Sequence, residues 1–252
     1  MKYFIIIVLL SFFAFFKYLH IFVLPNRIVM QLDIRIKMNE KLYLRNPEDS
    51  AVGKRIVSQG LILINKLGFE DFTFKKLSIE IDTTEATIYR YFENKHRLLI
   101  YLTTWWWSFL EYKVMISLNN MTDPQTKLKT IINLLVSEPD KNQKTDYIKE
   151  YEAYNLVKWE SSKAYLTRSV TKDNKDRLFK PYKDLCGRIS IIIKEYNPKY
   201  KHPNFLASTL LEMSHAQKFF MENLPLLTDT NQPDDKKLIQ FLEHLVFSAL
   251  KT

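Results

Sequence analysis

Apolar residues recur at helical spacing through most of the chain from about residue 48 onwards. Val52, Ile56, Leu63 and Leu67 fall on one face of a first helix, and Gly68 stands where a left-handed residue would end it. Further helices are predicted at residues 95–118, 124–138, 145–159, 177–195, 203–224 and 233–249. Because no segment alternates cleanly between apolar and polar residues, the predicted fold class is all-α.

Two short segments lie between the first helix and the helix predicted from residue 95. Each has one apolar pair spaced i, i+4, and these pairs are Leu77/Ile81 and Ile88/Phe92. Helices of about two turns are unstable alone, so we expect both to pack on the first helix. Two such helices joined by a tight turn, after a longer helix, indicate a helix-turn-helix unit.

The second short helix has a polar face opposite its apolar pair. With Ile88 and Phe92 directed inward, this face presents Glu85, Thr87 and Arg90, while Thr84 before them suits an N-cap and a phosphate contact. Side chains of this kind bond base edges or phosphates. The pattern therefore favours a DNA-binding function.

The same stretch resembles the DNA-binding domain of the TetR/AcrR family over about residues 48–100. The resemblance rests on Gly68-Phe69, Thr73, Leu77, the run Thr84-Glu-Ala-Thr-Ile-Tyr-Arg-Tyr-Phe92, Asn94-Lys95 and Leu98. It implies a three-helix DNA-binding domain followed by a helical bundle that binds an effector and dimerises. The chain departs from the family at Asp82, where Gly is usual, and at Ser78 and Ile81, where Ala is usual.

The resemblance also implies which side chains meet double-stranded operator DNA. Base contacts are expected from Lys75, Glu85, Ala86, Thr87 and Tyr89, and phosphate contacts from Thr73, Thr84, Tyr91 and Lys95. The implied function is a ligand-responsive transcriptional regulator, more often a repressor than an activator. The rival hypothesis is a membrane-associated all-α protein whose helix-turn-helix serves protein contacts.

The composition of the chain excludes only a few classes of protein. The net charge of +9 suits a nucleic-acid partner, but the basic residues are spread along the chain. Four glycines argue against glycine-rich phosphate loops, and the single Cys186 forms no intrachain disulfide. Glu212 and His215 have an i, i+3 metal-site spacing, but the further carboxylates of such a site are not evident. We expect no enzyme, cofactor or metal.

The region after residue 100 is rich in aromatic residues and in amphipathic helices. Aromatic surface for an apolar effector pocket is expected from Trp105, Trp106, Tyr112, Tyr151 and Trp159, with ordinary core packing as the alternative. Successive helix positions differ by 100°, so Trp105, Trp106 and Trp107 cannot all face one way. The last two helices suit a homodimer through Leu206, Leu210, Met213, Leu242 and Leu245, again with core packing as the alternative.

Residues 1–37 form an apolar extension with three interpretations. Residues 3–24 are a membrane anchor, or they begin a cleaved signal, or translation starts downstream at Met30 or Met38. Lys17 inside the candidate span favours the downstream start. We therefore expect an extension (1–37), a DNA-binding domain (38–100) and an effector-binding and dimerisation domain (101–252) in the cytoplasm, anchored to the cytoplasmic membrane if residues 3–24 span it.

Overall fold

The computed structural model describes the backbone of residues 19–24 and 27–32, and the whole of residues 36–230 and 232–251. The chain divides into two units, residues 1–35 and residues 36–252. Each unit is described by itself. Ten α-helices lie in the described part of the second unit, which confirms the all-α class.

A β-hairpin lies in the first unit, where no strand was predicted. Strands β1 (Leu19–Leu24) and β2 (Arg27–Leu32) are antiparallel, with Leu19 opposite Leu32 and Leu24 opposite Arg27. The run is rich in β-branched and aromatic residues, which favour strands, but its continuous apolar character hides the period of two. The anchor and signal interpretations fall largely on residues 1–18, outside the described residues, and the downstream start at Met30 or Met38 stays a prediction.

A helix that crosses a bilayer needs about 20 consecutive, mostly apolar residues. None of the described helices is both long enough and apolar enough to cross a bilayer.

Three helices form the helix-turn-helix: α1 (Ala51–Leu67), α2 (Phe74–Glu80) and α3 (Glu85–Tyr89). Each begins after a hydroxyl residue whose side chain accepts a backbone N–H of the first turn, and these caps are Ser50, Thr73 and Thr84. Helix α1 ends at Gly68, whose φ of 79° and N–H donation to the Ile64 carbonyl confirm the predicted stop.

Helix α4 (Lys95–Ser117) runs from the helix-turn-helix into the second half of the chain. The Asn94 side chain caps it by accepting the backbone N–H of Arg97 at 2.9 Å, as predicted. Residues 98–107 are buried without exception, so this stretch has no solvent-facing side. It packs on α1 at one end and deep in the bundle at the other.

The remaining elements are α5 (Pro124–Val136), β3 (Lys144–Thr145), β4 (Ile148–Lys149), α6 (Glu150–Tyr165), α7 (Val170–Lys175), α8 (Lys180–Tyr196), α9 (Pro203–Asn223) and α10 (Asp235–Leu250). Helix α6 begins later than predicted because residues 144–149 form a small hairpin that turns at Asp146, with φ of 54°. Helix α7 lies between the helices predicted at 145–159 and 177–195, where no helix was predicted, and its Asp173 is buried and paired with Arg97 at 3.1 Å.

Two helical glycines provide a matched test of packing in this fold. A Cβ at Gly53 in α1 would lie 2.3 Å from the backbone oxygen of Pro47, whereas a Cβ at Gly187 in α8 would meet nothing within 4 Å. Gly187→Ala should raise the free energy of unfolding by about 0.5–1 kcal/mol, because alanine favours helix. Gly53→Ala should lower it by about 1–3 kcal/mol, because rigid backbone must shift. Urea denaturation measures both, and equal effects would contradict the described packing.

Candidate functional site

The turn between α2 and α3 fixes the geometry of the candidate DNA-binding surface. Asp82 adopts φ of 49°, a left-handed conformation that aspartate tolerates better than most residues. The Thr83 N–H donates to the Ser78 carbonyl at 2.9 Å and closes the turn. Ser78 and Ile81, both larger than the expected alanine, are buried where the two helices meet. The predicted turn therefore forms with the chain's own residues.

Helix α3 is anchored by its apolar side and capped at its start. Ile88 is fully buried, and the Tyr89 ring packs edge-on against Phe74 at 5.0 Å between centroids. The Thr84 hydroxyl accepts the backbone N–H of Thr87 at 3.2 Å and bonds its hydroxyl at 3.0 Å. These contacts hold the opposite side of α3 towards solvent.

Most of the sequence-predicted DNA contacts lie on this solvent side of α2 and α3. The exposed members are Thr73, Lys75, Thr84, Ala86 and Tyr89, and the half-buried members are Glu85 and Thr87. Arg90 is exposed as well. Lys75 and Arg90 form no ion pair with any described residue, which leaves both positive charges available for phosphates.

Tyr91 and Lys95 are placed differently from the expected phosphate contacts. Tyr91 is only 3% exposed, and its hydroxyl bonds the Ser50 hydroxyl at 2.8 Å, at the start of α1. The Lys95 ammonium donates to the backbone oxygens of Phe69, Glu70 and Phe72 at 2.9, 2.9 and 3.1 Å. Because an ammonium has three donors, all are used within the domain.

Helix α6 bonds directly to the helix-turn-helix domain. The Asn65 amide near the end of α1 donates to the backbone oxygen of Glu152 at 2.8 Å and to its carboxylate at 2.7 Å. The backbone N–H of Phe69 donates to the Glu160 carboxylate at 3.0 Å. A shift of α6 along its axis would therefore pull on the end of α1.

Glu48, just before α1, forms a second link between the two predicted domains. Its carboxylate accepts from the hydroxyl of Tyr101 on α4 at 3.0 Å and from that of Tyr147 in the β3–β4 turn. Burial, with smaller contributions from nearby Tyr147 and Glu48, raises the pKa of Tyr101 far above its ordinary value. The hydroxyl therefore stays protonated and acts as the donor.

The five residues expected to line an effector pocket do not converge. Trp105 and Trp106 are buried in the core, Tyr112 and Tyr151 are half-buried, and Trp159 is 49% exposed against Phe219. Trp159 lies on the outer side of α6, whereas Tyr154 on the same helix faces inward with 1% exposure. All three consecutive tryptophans, Trp105, Trp106 and Trp107, are buried.

Two grooves on the surface of the described residues are not lined by the expected pocket residues. One, of about 620 Å³, lies between the end of α4, the start of α5 and α8, and its lining includes Glu111, Met115, Arg188 and Ile191. The other, of about 180 Å³, lies between α9 and α10 and includes Gln217, Leu227 and Phe241.

Three of the five predicted dimer residues are in the interior of the subunit. Leu206, Leu210 and Leu242 are at most 7% exposed, because they pack towards the neighbouring helices of their own chain. Met213 and Leu245 are half-buried and remain on the outer side of α9 and α10. The apolar spacing identified a buried face of each helix, but it could not separate core from interface.

Sequence reasoning did not identify the links made by Glu48 and Glu160, and it named Tyr154 only as part of the aromatic surface for a ligand pocket. It singled out His215 only as a metal-ligand candidate. A signal was present on α9, where polar Ser214, His215 and Lys218 occupy positions of the apolar stripe. Glu212 points elsewhere and accepts from the Tyr165 hydroxyl at 2.9 Å. Among the described residues, no group of three or more His, Cys, Asp or Glu side chains could hold a metal ion.

The fold and the exposed face of α3 define a helix-turn-helix DNA-binding protein. Residues 56–102 match the family model of the bacterial regulatory proteins of the tetR family. No curated protein matches the sequence.

The fold is similar to that of several solved structures. AibR, in complex with isovaleryl coenzyme A and operator DNA, is 12% identical with a TM-score of 0.54, covering 77% of this chain and 98% of AibR. The fatty acid degradation regulator FadR from Bacillus halodurans is 16% identical with a TM-score of 0.54, covering 76% and 92%. The superantigen PfiT is 16% identical with a TM-score of 0.52, covering 82% and 97%. At these identities the likeness concerns the fold alone.

Two single substitutions distinguish a lysine that bonds within the protein, Lys95, from a lysine whose charge is available to DNA, Lys75. Lys95→Met should lower the free energy of unfolding by roughly 1.5–3 kcal/mol, because backbone oxygens lose a charged donor. Lys75→Met should leave stability within about 0.5 kcal/mol and lower the salt slope of DNA binding by about one unit. Chemical denaturation and DNA titrations at several salt concentrations measure both. A lower slope at unchanged stability for Lys95→Met would restore its phosphate role.

Proposed function

We propose that the protein regulates transcription by binding operator DNA through α3, and that a small molecule bound in residues 101–252 modulates this binding. The observation that carries the proposal is the polar outer side of α3, held towards solvent by Ile88 and the Thr84 cap. The match of residues 56–102 to the tetR family supports it. By the same resemblance we propose that the protein acts as a repressor in the cytoplasm.

The similar structures support a link between DNA binding and small molecules. AibR was solved with both isovaleryl coenzyme A and operator DNA, and FadR is described as a regulator of fatty acid degradation. The bundle of this chain has the same fold, so it provides a comparable place for an effector. The chemistry of the effector has to be inferred from the side chains of this protein and not from these relatives.

Within the DNA-binding surface, Glu85 has a role distinct from the cationic residues. A carboxylate repels phosphate and only accepts hydrogen bonds, so its natural partner in the major groove is the amino group of cytosine. Glu85 is half-buried at the first position of α3, directly after the Thr84 cap. We therefore propose that Glu85 reads a base, whereas Lys75 and Arg90 neutralise phosphates.

Glu85→Ala should relax the preference at one base pair of each half-site, by roughly 1–3 kcal/mol, while non-specific affinity stays the same or rises. Selection of binding sites from random DNA at fixed salt measures this preference. Asp229→Ala is the matched control, because it removes one exposed carboxylate from the loop before α10. It should leave the selected motif unchanged.

The outcome that would contradict a reading role is an unchanged motif for Glu85→Ala at every position. The carboxylate would then serve only as an acidic residue in the first turn of α3, where it interacts favourably with the helix dipole. A loss of all DNA binding with normal stability would also argue against a base-specific role.

The effector signal is proposed to pass through α6. This helix bonds to the end of α1 through Glu152 and to the following loop through Glu160. It also packs on α4 and α9 within the bundle. An effector that separates α6 from these helices would therefore change the position of α1, and with it the position of α3 relative to DNA.

We further propose that two copies bind DNA together through the outer side of α9 and α10. A five-residue recognition helix reads few bases, and helix-turn-helix proteins commonly bind two half-sites as dimers. Phe241 is 43% exposed and lies beside Gln217, while Met213 and Leu245 follow one turn further along the same two helices. These residues form a continuous partly apolar strip that a second copy would cover.

Replacing Phe241 and Leu245 together by Asp should give a folded monomer with strongly weakened operator binding, because four charges would be buried in a symmetric interface. Light scattering measures the assembly, and circular dichroism checks the fold. Ile191→Asp is the control, because Ile191 is 63% exposed but lies on α8 beside the larger groove. An unmodified protein that is monomeric at micromolar concentration would contradict the assignment.

A further inference from the structure

Three polar aromatic side chains meet in the interior between α4, α6 and α9. Ring centroids of Trp106 and Tyr154 are 5.8 Å apart, and those of Tyr154 and His215 are 6.2 Å apart. Trp107 closes one side, with its ring 5.3 Å from that of His215. All of them are at most 6% exposed. We call Trp106, Tyr154 and His215 the interior polar cluster.

No side-chain polar atom of the interior polar cluster has a hydrogen-bond partner among the described residues. These atoms are the Trp106 indole nitrogen, the Tyr154 hydroxyl and both ring nitrogens of His215. Other buried atoms without a partner belong to residues that hold another hydrogen bond or ion pair, namely Asn65, Arg97, Glu150, Glu160 and Arg188. Because buried polar groups are almost always bonded, three wholly unbonded neighbours require an explanation.

The charged side chains around the cluster are held in ion pairs. Lys158 pairs with Glu222 at 2.6 Å, and Lys218 pairs with Glu138 at 3.1 Å and with Asp235. Burial, with a smaller contribution from Lys158, lowers the pKa of His215 to about 4, so its imidazole is neutral at pH 7. The cluster itself is therefore uncharged at pH 7, and each of the five charged side chains named around it is already held in an ion pair.

The hydrogen-bonding capacity of the cluster defines the complementary molecule. The indole nitrogen only donates, the tyrosine hydroxyl donates and accepts, and a neutral imidazole has one donor and one acceptor. A molecule that satisfies them needs at least one acceptor and one donor. The surrounding rings favour a flat aromatic or apolar body.

We propose that the interior polar cluster binds an uncharged, flat molecule through a hydroxyl or amide group, and that this molecule is the effector. The proposal rests on the proposed ligand-modulated function and names the chemistry of its effector. Because all three cluster residues are at most 6% exposed and neither of the two grooves described includes them, we infer that a bound molecule separates α6 from α4 and α9. This is the displacement that α6 would transmit to α1.

Titration of the full chain with benzamide tests the proposal, since benzamide is flat, uncharged and has both a donor and an acceptor. The indole N–H resonance of Trp106, assigned with Trp106→Phe, should shift saturably with benzamide. It should not shift with equal concentrations of toluene or benzoate, which lack the donor or carry a charge. Thermal unfolding should occur at a higher temperature with benzamide only.

Two tyrosine variants provide the matched control. Tyr154→Phe keeps the ring and removes the unbonded hydroxyl, so benzamide should bind about tenfold more weakly. Tyr165→Phe removes a hydroxyl that bonds Glu212 away from the cluster, and it should leave the affinity unchanged. Circular dichroism of both variants confirms that the bundle is folded.

Several outcomes would overturn the proposal. These are no saturable shift with benzamide, an equal shift with toluene or benzoate, or equal affinity in Tyr154→Phe and the unmodified chain. DNA binding by the same preparation is measured in parallel. Selective DNA binding without benzamide binding would overturn the effector proposal alone, whereas benzamide binding without DNA binding would overturn the proposed function.

Discussion

The continuous burial of α4 is the constraint on which the rest of the structure depends. Residues 98–107 have no solvent-facing side, so the helix is stable only when both halves of the chain surround it. Leu98 packs so closely on α1 that a Cβ at Gly60 would lie 3.0 Å from its methyl carbon, while Trp107 reaches Tyr182 on α8. The predicted domain boundary at residue 100 therefore falls inside one continuous rigid element.

This constraint limits how the effector region can influence the DNA-binding surface. A helix packed on all sides transmits displacement as a body and does not bend freely at its middle. The polar links of Glu48, Glu152 and Glu160 to the opposite half of the chain then decide the direction of movement. Because Lys95 bonds three oxygens of the loop before α2, the start of α4 and that loop move together.

The elements that depend on local chemistry could be predicted from the sequence. The caps at Thr84 and Asn94, the stop at Gly68 and the left-handed turn at Asp82 depend on residues within four positions of each other. Each of these features can therefore be recognised within one short segment of the sequence. The all-α class and the helix-turn-helix could also be predicted, because both are indicated by residue spacing within short segments.

The residues whose role depends on distant partners could not be predicted. The spacing on α9 and α10 shows that Leu210 and Leu242 face an apolar surface, but not whether that surface belongs to the same chain. The role of Lys95 depends on three carbonyl groups that converge only after α1 and α2 pack. The burial of Asp173 similarly depends on a distant partner, because Arg97 on α4 pairs with it.

Two neighbouring positions on α9 show why the interior polar cluster and the proposed movement of α6 belong together. Lys218 is 2% exposed and paired with two carboxylates, so opening the bundle there would break strong interactions. The ring nitrogens of His215, one turn earlier and 6% exposed, have no hydrogen-bond partner among the described residues. Leaving a buried polar group unbonded costs about 1–3 kcal/mol, and a bound hydroxyl or amide, or water, would recover this energy.

Opening the bundle at His215 therefore costs less than apolar burial alone implies, whereas the ion pairs of Lys218 keep the adjacent turn closed. The movement that we propose for α6 therefore starts where this helix contacts α4 and α9, and the same helix also bonds to α1.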